Sequence, residues 1–237
     1  MKLYGLNKTT LLDYPEHVAC TVFTGGCNFR CPFCHNADLV LPSQGPAPLT
    51  EEDFFAYLHK RKNMLEGVCI TGGEPTLQND LKDFIRKIRS VGYLVKLDTN
   101  GYRPEILASL LEEGLLDYVA MDIKSSRQGY AAAAGISDLT LSKIEESVTL
   151  LKEGNVPYEF RTTVVKELHT KEDFEDIASW LAGCRAYYLQ SYTDGNAILG
   201  HRLTPGCTFH ACDPQEMRNF ADLLKEAGIP AFLRGMN

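Results

Sequence analysis

The chain has no apolar run long enough to cross a bilayer, and its first residues, Met-Lys-Leu-Tyr-Gly-Leu-Asn-Lys, lack the apolar core of a secretion signal. A membrane role is therefore not expected. Basic residues are in the minority: 24 Lys and Arg stand against 31 Asp and Glu, a net charge of −7 with a pI near 5.4. A nucleic-acid surface needs a concentrated basic face, so nucleic acid is not an expected partner either. The eight cysteines are an even number, but they are partly clustered and no secretion signal precedes them. Both features argue against a disulfide framework and for a reducing cytoplasm.

At 237 residues, with 44% hydrophobic and 23% charged residues, the composition is that of one globular domain with a sizeable core. Strand, turn and capped helix alternate along it. Strands are expected at 18–23, 68–71, 94–98, 118–123, 158–165 and 186–190, with a possible short one at 231–234. Helices are expected after Thr50, through Leu81, Phe84, Ile85 and Ile88 up to Gly92, and over Pro104–Glu113. Further helices are expected around Ile144–Leu151, after Thr170, and after Asp213-Pro214. Residues 37–49, with Pro42, Gly45, Pro46 and Pro48, read as loop. Residues 193–212 read as a long irregular stretch of the kind that forms lids. Six β–α units imply a parallel sheet with right-handed crossovers. A closed eight-stranded barrel takes about 250 residues, so the expected fold is α/β, a partial (β/α)6 barrel. It forms a single domain, 1–237, with its core over about 16–192 and a C-terminal loop and helix over 193–237.

Thr24-Gly-Gly-Cys-Asn-Phe-Arg-Cys-Pro-Phe-Cys-His-Asn36 carries the chemistry. Cys27, Cys31 and Cys34 are spaced C-x3-C-x2-C with no fourth cysteine nearby. Three thiolates can hold three irons of a [4Fe-4S] cluster and leave the fourth open to a small molecule. Zinc, which usually takes four protein ligands, and a disulfide pair are the alternatives.

The other candidates also fall at the C-terminal ends of expected strands, where active sites of parallel α/β folds gather. Gly72-Gly73 allows close backbone approach, or makes a plain β–α turn. Glu74 orients the backbone of that turn or touches a ligand. Asp98 faces the rim or caps the next helix, and Asn100 follows it. Asp122 and Lys124 flank Ile123 and point to one side, as ligand contacts or as an ion pair. Arg161 and Gln190, on the fifth and sixth strands, meet a ligand or are satisfied polar core residues. An unpaired buried guanidinium would be costly. Cys20 and Cys69 read as small core residues. Cys207, His210 and Cys212, with His201 upstream, read as loop chemistry more readily than as a second metal site.

C-x3-C-x2-C with Phe33 before its last cysteine resembles the signature of the radical S-adenosylmethionine (SAM) enzymes. The resemblance continues through Thr71-Gly-Gly-Glu-Pro75, Asp98-Thr-Asn-Gly101 and Asp122-Ile-Lys124. As a set these motifs resemble the glycyl-radical-enzyme activases. Gly5-Leu-Asn-Lys-Thr-Thr-Leu-Leu-Asp-Tyr-Pro15 is similar to the start of one branch, the activating proteins of anaerobic ribonucleoside-triphosphate reductase. The match spans about residues 3–192. Glu16 departs from the glycine usual in that branch after Tyr-Pro.

The resemblance implies a [4Fe-4S] cluster on the three cysteines, with SAM chelating the open iron. It places the amino end of SAM at Gly72-Gly73 and its carboxylate near Lys124, with a monovalent cation beside Asp98. Phe33 and His35 would lie near the adenine. An electron from a flavodoxin-type donor would cleave SAM, and the resulting 5′-deoxyadenosyl radical would take hydrogen from a glycine of the reductase's large subunit. No general acid or base is then required. Two other kinds of reading stay open. One keeps the enzyme class but changes the substrate, to a pyruvate formate-lyase-type partner or a small molecule as in 7-carboxy-7-deazaguanine synthesis. The other is an iron–sulfur or zinc binding module without catalysis.

Overall fold

The computed structural model describes residues 1–41, 49–195, 198–204 and 206–236. Its centre is one eight-stranded sheet in sequence order: β1 (Leu3–Thr10), β2 (Ala19–Thr24), β3 (Gly67–Gly72), β4 (Leu94–Thr99), β5 (Tyr118–Asp122), β6 (Tyr158–Val164), β7 (Tyr187–Ser191) and β8 (Ala231–Arg234). β1 runs antiparallel to β2, and every later pairing is parallel. The six expected strands are β2 to β7. The sheet extends beyond them by β8 and by β1, for which no strand was expected. β1 is LYGLNKTT, too polar to alternate cleanly; it lies at the sheet edge with Asn7, Lys8 and Thr9 exposed and its register broken twice.

The helices are α1 (Ala37–Val40), α2 (Glu51–Lys60), α3 (Leu81–Val91), α4 (Pro104–Glu112), α5 (Tyr130–Ala134), α6 (Leu141–Glu153), α7 (Lys171–Trp180), α8 (Leu199–Leu203) and α9 (Pro214–Glu226). Their ends follow local chemistry. Thr50 and Thr170 accept from the backbone N–H groups of Asp53 and Asp173, and Asp213 accepts from those of Gln215 and Glu216. Gly92 ends α3 in the left-handed region. Leu81, Phe84, Ile85 and Ile88 turn one side of α3 into the core, each burial contributing about 2 kcal/mol. Residues 37–40, expected as loop, form α1, while the rest of that expected loop, 42–48, lies outside the described residues. No helix among the described residues is long and apolar enough to cross a membrane.

Alternation sorts each parallel strand. Val68, Ile70, Val95, Leu97, Val119, Met121, Phe160 and Leu189 are buried in the main hydrophobic core. The residues between them carry the polar groups: Cys69, Lys96, Asp98, Asp122, Glu159 and Arg161. The in-register pairs Asp98↔Ala120, Ala120↔Glu159 and Asp122↔Arg161 keep this polar set on one face.

The segment between β1 and β2 packs at the opposite end of the sheet from the Cys loop. Tyr14 is buried there beside the first residue of β3, leaving no room for a Cβ at Gly67, and its ring lies 6.2 Å from that of Tyr118 at the start of β5. Two residues on, after Pro15, Glu16 takes a left-handed conformation with φ of 66°.

Candidate active site

The Cys loop leaves β2 and is held from three sides. From β3, Gly73 N–H donates to Thr24 O (2.9 Å) and Glu74 N–H to Gly26 O (2.8 Å). This contact explains the paired glycines. A Cβ on Gly72 would lie 2.9 Å from the Thr24 carbonyl carbon, and one on Gly73 2.6 Å from that of Gly26. From the α5 end, Arg30 N–H donates to Ala134 O, and a Cβ on Gly135 would press on Arg30 backbone. From α8, Leu199 N–H donates to Cys34 O (2.9 Å) and Gly200 N–H to Pro32 O (2.7 Å). Arg202 pairs with Asp38 at 2.6 Å, and the His35 ring bonds Thr193 O. The stretch expected to be irregular thus contains a helix that buttresses the cysteines; residues 196–197 and 205 within it lie outside the described residues.

A cleft of about 200 Å³, open to solvent at its mouth, lies between this loop and the strand ends. Cys27, Cys31 and Cys34 line it together with Phe33, His35, Gly72, Gly73, Glu74, Asp98, Asn100, Asp122, Lys124 and Arg161. Two candidates are not among its lining residues. The side chain of Ile123 is fully buried in the core, with only its backbone engaged, its N–H donating to Arg161 O. Gln190 stands on β7 in register with Arg234 of β8.

Burial raises the pKa of all three thiols, that of Cys27 to about 11 and of Cys31 to about 12. Phe29 N–H donates to Cys27 Sγ at 3.3 Å. Among the described residues no three His, Cys, Asp or Glu side chains close on a point that one ion would occupy. The three thiols line one cleft, and three cysteine donors with no fourth nearby are the set that fits a [4Fe-4S] cluster with one iron left open. Cys207, His210 and Cys212 form no metal group either: His210 is bonded to Glu167 and Cys212 is buried.

Glu74 is 1% exposed and accepts four hydrogen bonds: Thr76 N–H (3.1 Å), Thr76 Oγ1 (2.6 Å), Thr99 Oγ1 (2.8 Å) and Asn100 N–H (2.7 Å). Its carboxylate therefore ties the β3 turn to the end of β4, the orienting role of the two weighed for it. Burial raises its pKa against the pull of those bonds. Asn100 Nδ2 in turn donates to Asn28 of the Cys loop at 2.8 Å.

Below the cleft runs a column of alternating charge. Lys96 is bonded to Asp98 Oδ1, and Arg161 Nη1 lies 3.3 Å from Asp98 Oδ2. Arg161 also reaches Asp122 Oδ1 through Nε (3.0 Å) and Nη2 (2.9 Å), and Lys124 Nζ lies 2.9 Å from Asp122 Oδ2. Burial alone would raise the Asp122 pKa, but Lys124 and Arg161 more than reverse it and bring it down to about 2. Asp98 is lowered in the same way, against burial, by Arg161 and Lys96. Lys124 loses some basicity to burial and regains more from Asp122, so its pKa rises.

Phe29, Thr71, Thr99 and Thr163 line the cleft without having been expected there, and two residues behind the lining, Lys96 and His169, were not expected either. Lys96 alternates with Asp98 on β4, and period two alone could have put them on one face. His169 has no local signal: it lies after β6, buried, with Nδ1 accepting from Val165 N–H (2.9 Å) and Nε2 donating to Lys124 O (2.8 Å). Burial lowers its pKa, which keeps the ring neutral in that role.

The model of the radical SAM superfamily matches residues 21–181, which include the Cys loop and the whole of the column. The chain belongs to that superfamily. Its members are enzymes whose chemistry implies SAM and a [4Fe-4S] cluster. A provisionally named glycyl-radical enzyme activating enzyme of Methanocaldococcus jannaschii is 34% identical over 197 residues, 81% of this chain and 80% of that protein. The solved structure of a radical SAM methyltransferase from Sphaerobacter thermophilus superposes with a TM-score of 0.72 at 16% identity, over 93% of this chain and 67% of that one. A domain of the pyruvate-formate lyase-activating enzyme of Bacteroides vulgatus gives 0.54 at 19% identity, over 72% and 99%. At such identities the two structures speak for the fold alone.

Proposed function

We propose that this radical SAM enzyme activates a glycyl radical enzyme, and that its partner is the large subunit of an anaerobic ribonucleoside-triphosphate reductase. The observation that carries the reading is the shared cleft, with three cysteines, Cys31 buried and Cys27 and Cys34 half-buried, on one wall and the Gly72-Gly73 turn and the charge column on the others. Cys27, Cys31 and Cys34 would hold three irons of the cluster, leaving one for the amino and carboxylate groups of SAM. When bound, the reduced cluster supplies the electron that cleaves SAM and so provides the radical that abstracts hydrogen.

The remaining work falls to the chain. Lys124 and Arg161 set positive charge at the cleft floor to attract the carboxylate of SAM, and Asp122 holds both in place. The close turn at Gly72-Gly73 leaves backbone, not side chain, facing the amino end. Phe33 and His35 offer flat faces on the Cys-loop side for the adenine. Asn100 bridges the β4 end to the Cys loop, and Glu74 fixes the turn between them. The reductase as partner is supported by the Gly5–Pro15 segment, and glycyl-radical activation by the name of the M. jannaschii relative. A flavodoxin-type protein would supply the electron, in the cytoplasm.

The test is anaerobic reconstitution followed by reduction with dithionite in the presence of SAM. The wild-type protein should form 5′-deoxyadenosine, whereas Cys31→Ala should lose both that product and the cluster absorbance near ~400 nm. Turnover retained by the variant would refute the ligand assignment. Mixed with the reductase, the reduced enzyme should give a glycyl-radical signal in electron paramagnetic resonance. SAM cleavage without that signal, or with it only on a different glycyl radical enzyme, would overturn the choice of partner.

A further inference from the structure

The resemblance to activases puts a monovalent cation beside Asp98, and the residues here do not fit one. All four oxygens of the two floor carboxylates already face a cationic group. Asp98 Oδ1 takes Lys96 and Asp98 Oδ2 takes Arg161 Nη1. Asp122 Oδ1 takes Arg161 and Asp122 Oδ2 takes Lys124. A monovalent cation placed on these oxygens would sit beside the ammonium and guanidinium groups already on them, and like charges at that range repel. The column holds three cations against two carboxylates, one positive charge in excess. An added ion would make two, whereas the excess already present suits one incoming carboxylate.

Lys96 is the unusual member. It is 1% exposed and does not line the cleft, although Asp98 does. Among the described residues its ammonium pairs with Asp98, and Cys69 Sγ lies at 3.8 Å and the Tyr118 ring centre at 5.9 Å. A lysine so deeply buried costs desolvation energy that one ion pair repays only with good geometry. A residue serving packing alone could be apolar, as the neighbouring Val95 and Leu97 are.

We propose that Lys96 is a built-in counterion that takes the place of a monovalent metal ion at Asp98, so that SAM binding to this protein does not depend on one. Lys96 is then a positioning residue. It acts through Asp98, which it keeps ionised and aligned with Arg161, and does not itself touch SAM. The inference rests on the SAM-binding reading above and adds the source of the positive charge.

The test measures SAM affinity by calorimetry on the anaerobically reconstituted protein, in buffers whose only added cation is K+, Na+, Li+ or choline at equal ionic strength. The wild-type protein should bind SAM equally in all four, within about twofold. Affinity at least tenfold higher in K+ or Na+ than in choline would overturn the proposal, and needs no variant to be seen. Lys96→Met removes the ammonium and keeps an apolar stem. It should bind SAM at least tenfold more weakly in choline and recover in K+ or Na+, a rescue that a packing defect would not show. Loss that no cation repairs, in a variant that still melts cooperatively, would also count against it. If Lys96→Met does not fold, the wild-type comparison decides alone. No SAM binding in any salt would overturn the reading of the site, and this inference with it.

Discussion

Gly73 and Gly92 separate two reasons for a glycine, and their alanine variants should differ sharply. Gly92 ends α3 with φ of 103° and nothing within 4 Å of a would-be Cβ, so its need is conformational. Left-handed backbone costs an L residue about 1–2 kcal/mol, and the lost freedom of the unfolded chain returns about half a kcal/mol or more. Gly92→Ala should therefore cost about 1 kcal/mol, a drop of roughly 2–4 °C in Tm for a chain of this length. Gly73 has no positive φ, so its need is space: the Cβ would lie 2.6 Å from the Gly26 carbonyl carbon and 3.2 Å from its nitrogen. These are backbone atoms and cannot rotate away. Relief must move the Cys loop, at an overpacking cost of about 1–3 kcal/mol, and the 2.8 Å bond from Glu74 N–H to Gly26 O adds about 1 kcal/mol when broken. Gly73→Ala should thus lower Tm by roughly 10 °C and, unlike Gly92→Ala, reduce the iron and sulfide bound per chain after anaerobic reconstitution. The two readouts are a thermal melt of the unreconstituted protein and a metal assay. If Gly73→Ala binds a full complement of iron and melts no lower than Gly92→Ala, the claim that the β3 turn sets the position of the Cys loop is wrong.

Glu16 is exposed and left-handed, at a position where the resembling branch usually has glycine, so Glu16→Gly should raise stability by about 0.5–1 kcal/mol. A lower melting temperature in that variant would show that the Glu16 side chain has a stabilising partner. Acid should weaken the column through Asp122. Its folded pKa of about 2 lies below its ordinary 3.8, so its contribution is full above pH 4 and is lost as pH falls toward 2. The shift corresponds to about 1–2 kcal/mol once the third of the side chain that is exposed is allowed for. Stability should fall more steeply between pH 4 and 2 in the wild-type protein than in Asp122→Asn, and equal slopes would contradict this account.

What sequence could foretell divides along a physical line. β2, β3 and β5 were legible because burial on both faces makes them nearly continuous apolar runs, β4 and β6 because buried apolar residues alternate along them, and the motifs because they follow strand ends in chain order. β1 was not legible, since an edge strand is free to be polar. Lys96 was hidden among apolar neighbours in Val95-Lys96-Leu97, where one lysine looks like an exposed position on an edge. His169 and the α8 contacts with Pro32 and Cys34 depend on groups more than 40 residues apart meeting through backbone atoms, for which sequence carries no pattern. Gln190, offered either as a ligand contact or as a satisfied polar core residue, is not among the lining residues. A polar residue at a strand end need not line the cleft, and this one lies beyond the arc of strands whose ends enclose it.

The column also shows why this protein carries charge where a packed core would serve stability as well. Exchanging a buried ion network for fitted apolar side chains is often neutral, or gains about 1–4 kcal/mol, whereas removing one partner costs about 3–5 kcal/mol. Fold alone would not select Lys96, Asp98, Arg161, Asp122 and Lys124 over valines and leucines. On the SAM-binding reading proposed above, what the apolar version would lack is a pre-set positive excess beside the cysteines that an incoming carboxylate meets without having to organise water or ions. In solvent each charge would rearrange as the ligand bound. Here every carboxylate oxygen is already engaged and every cation has a fixed neighbour, so the cost of ordering falls on folding and not on binding.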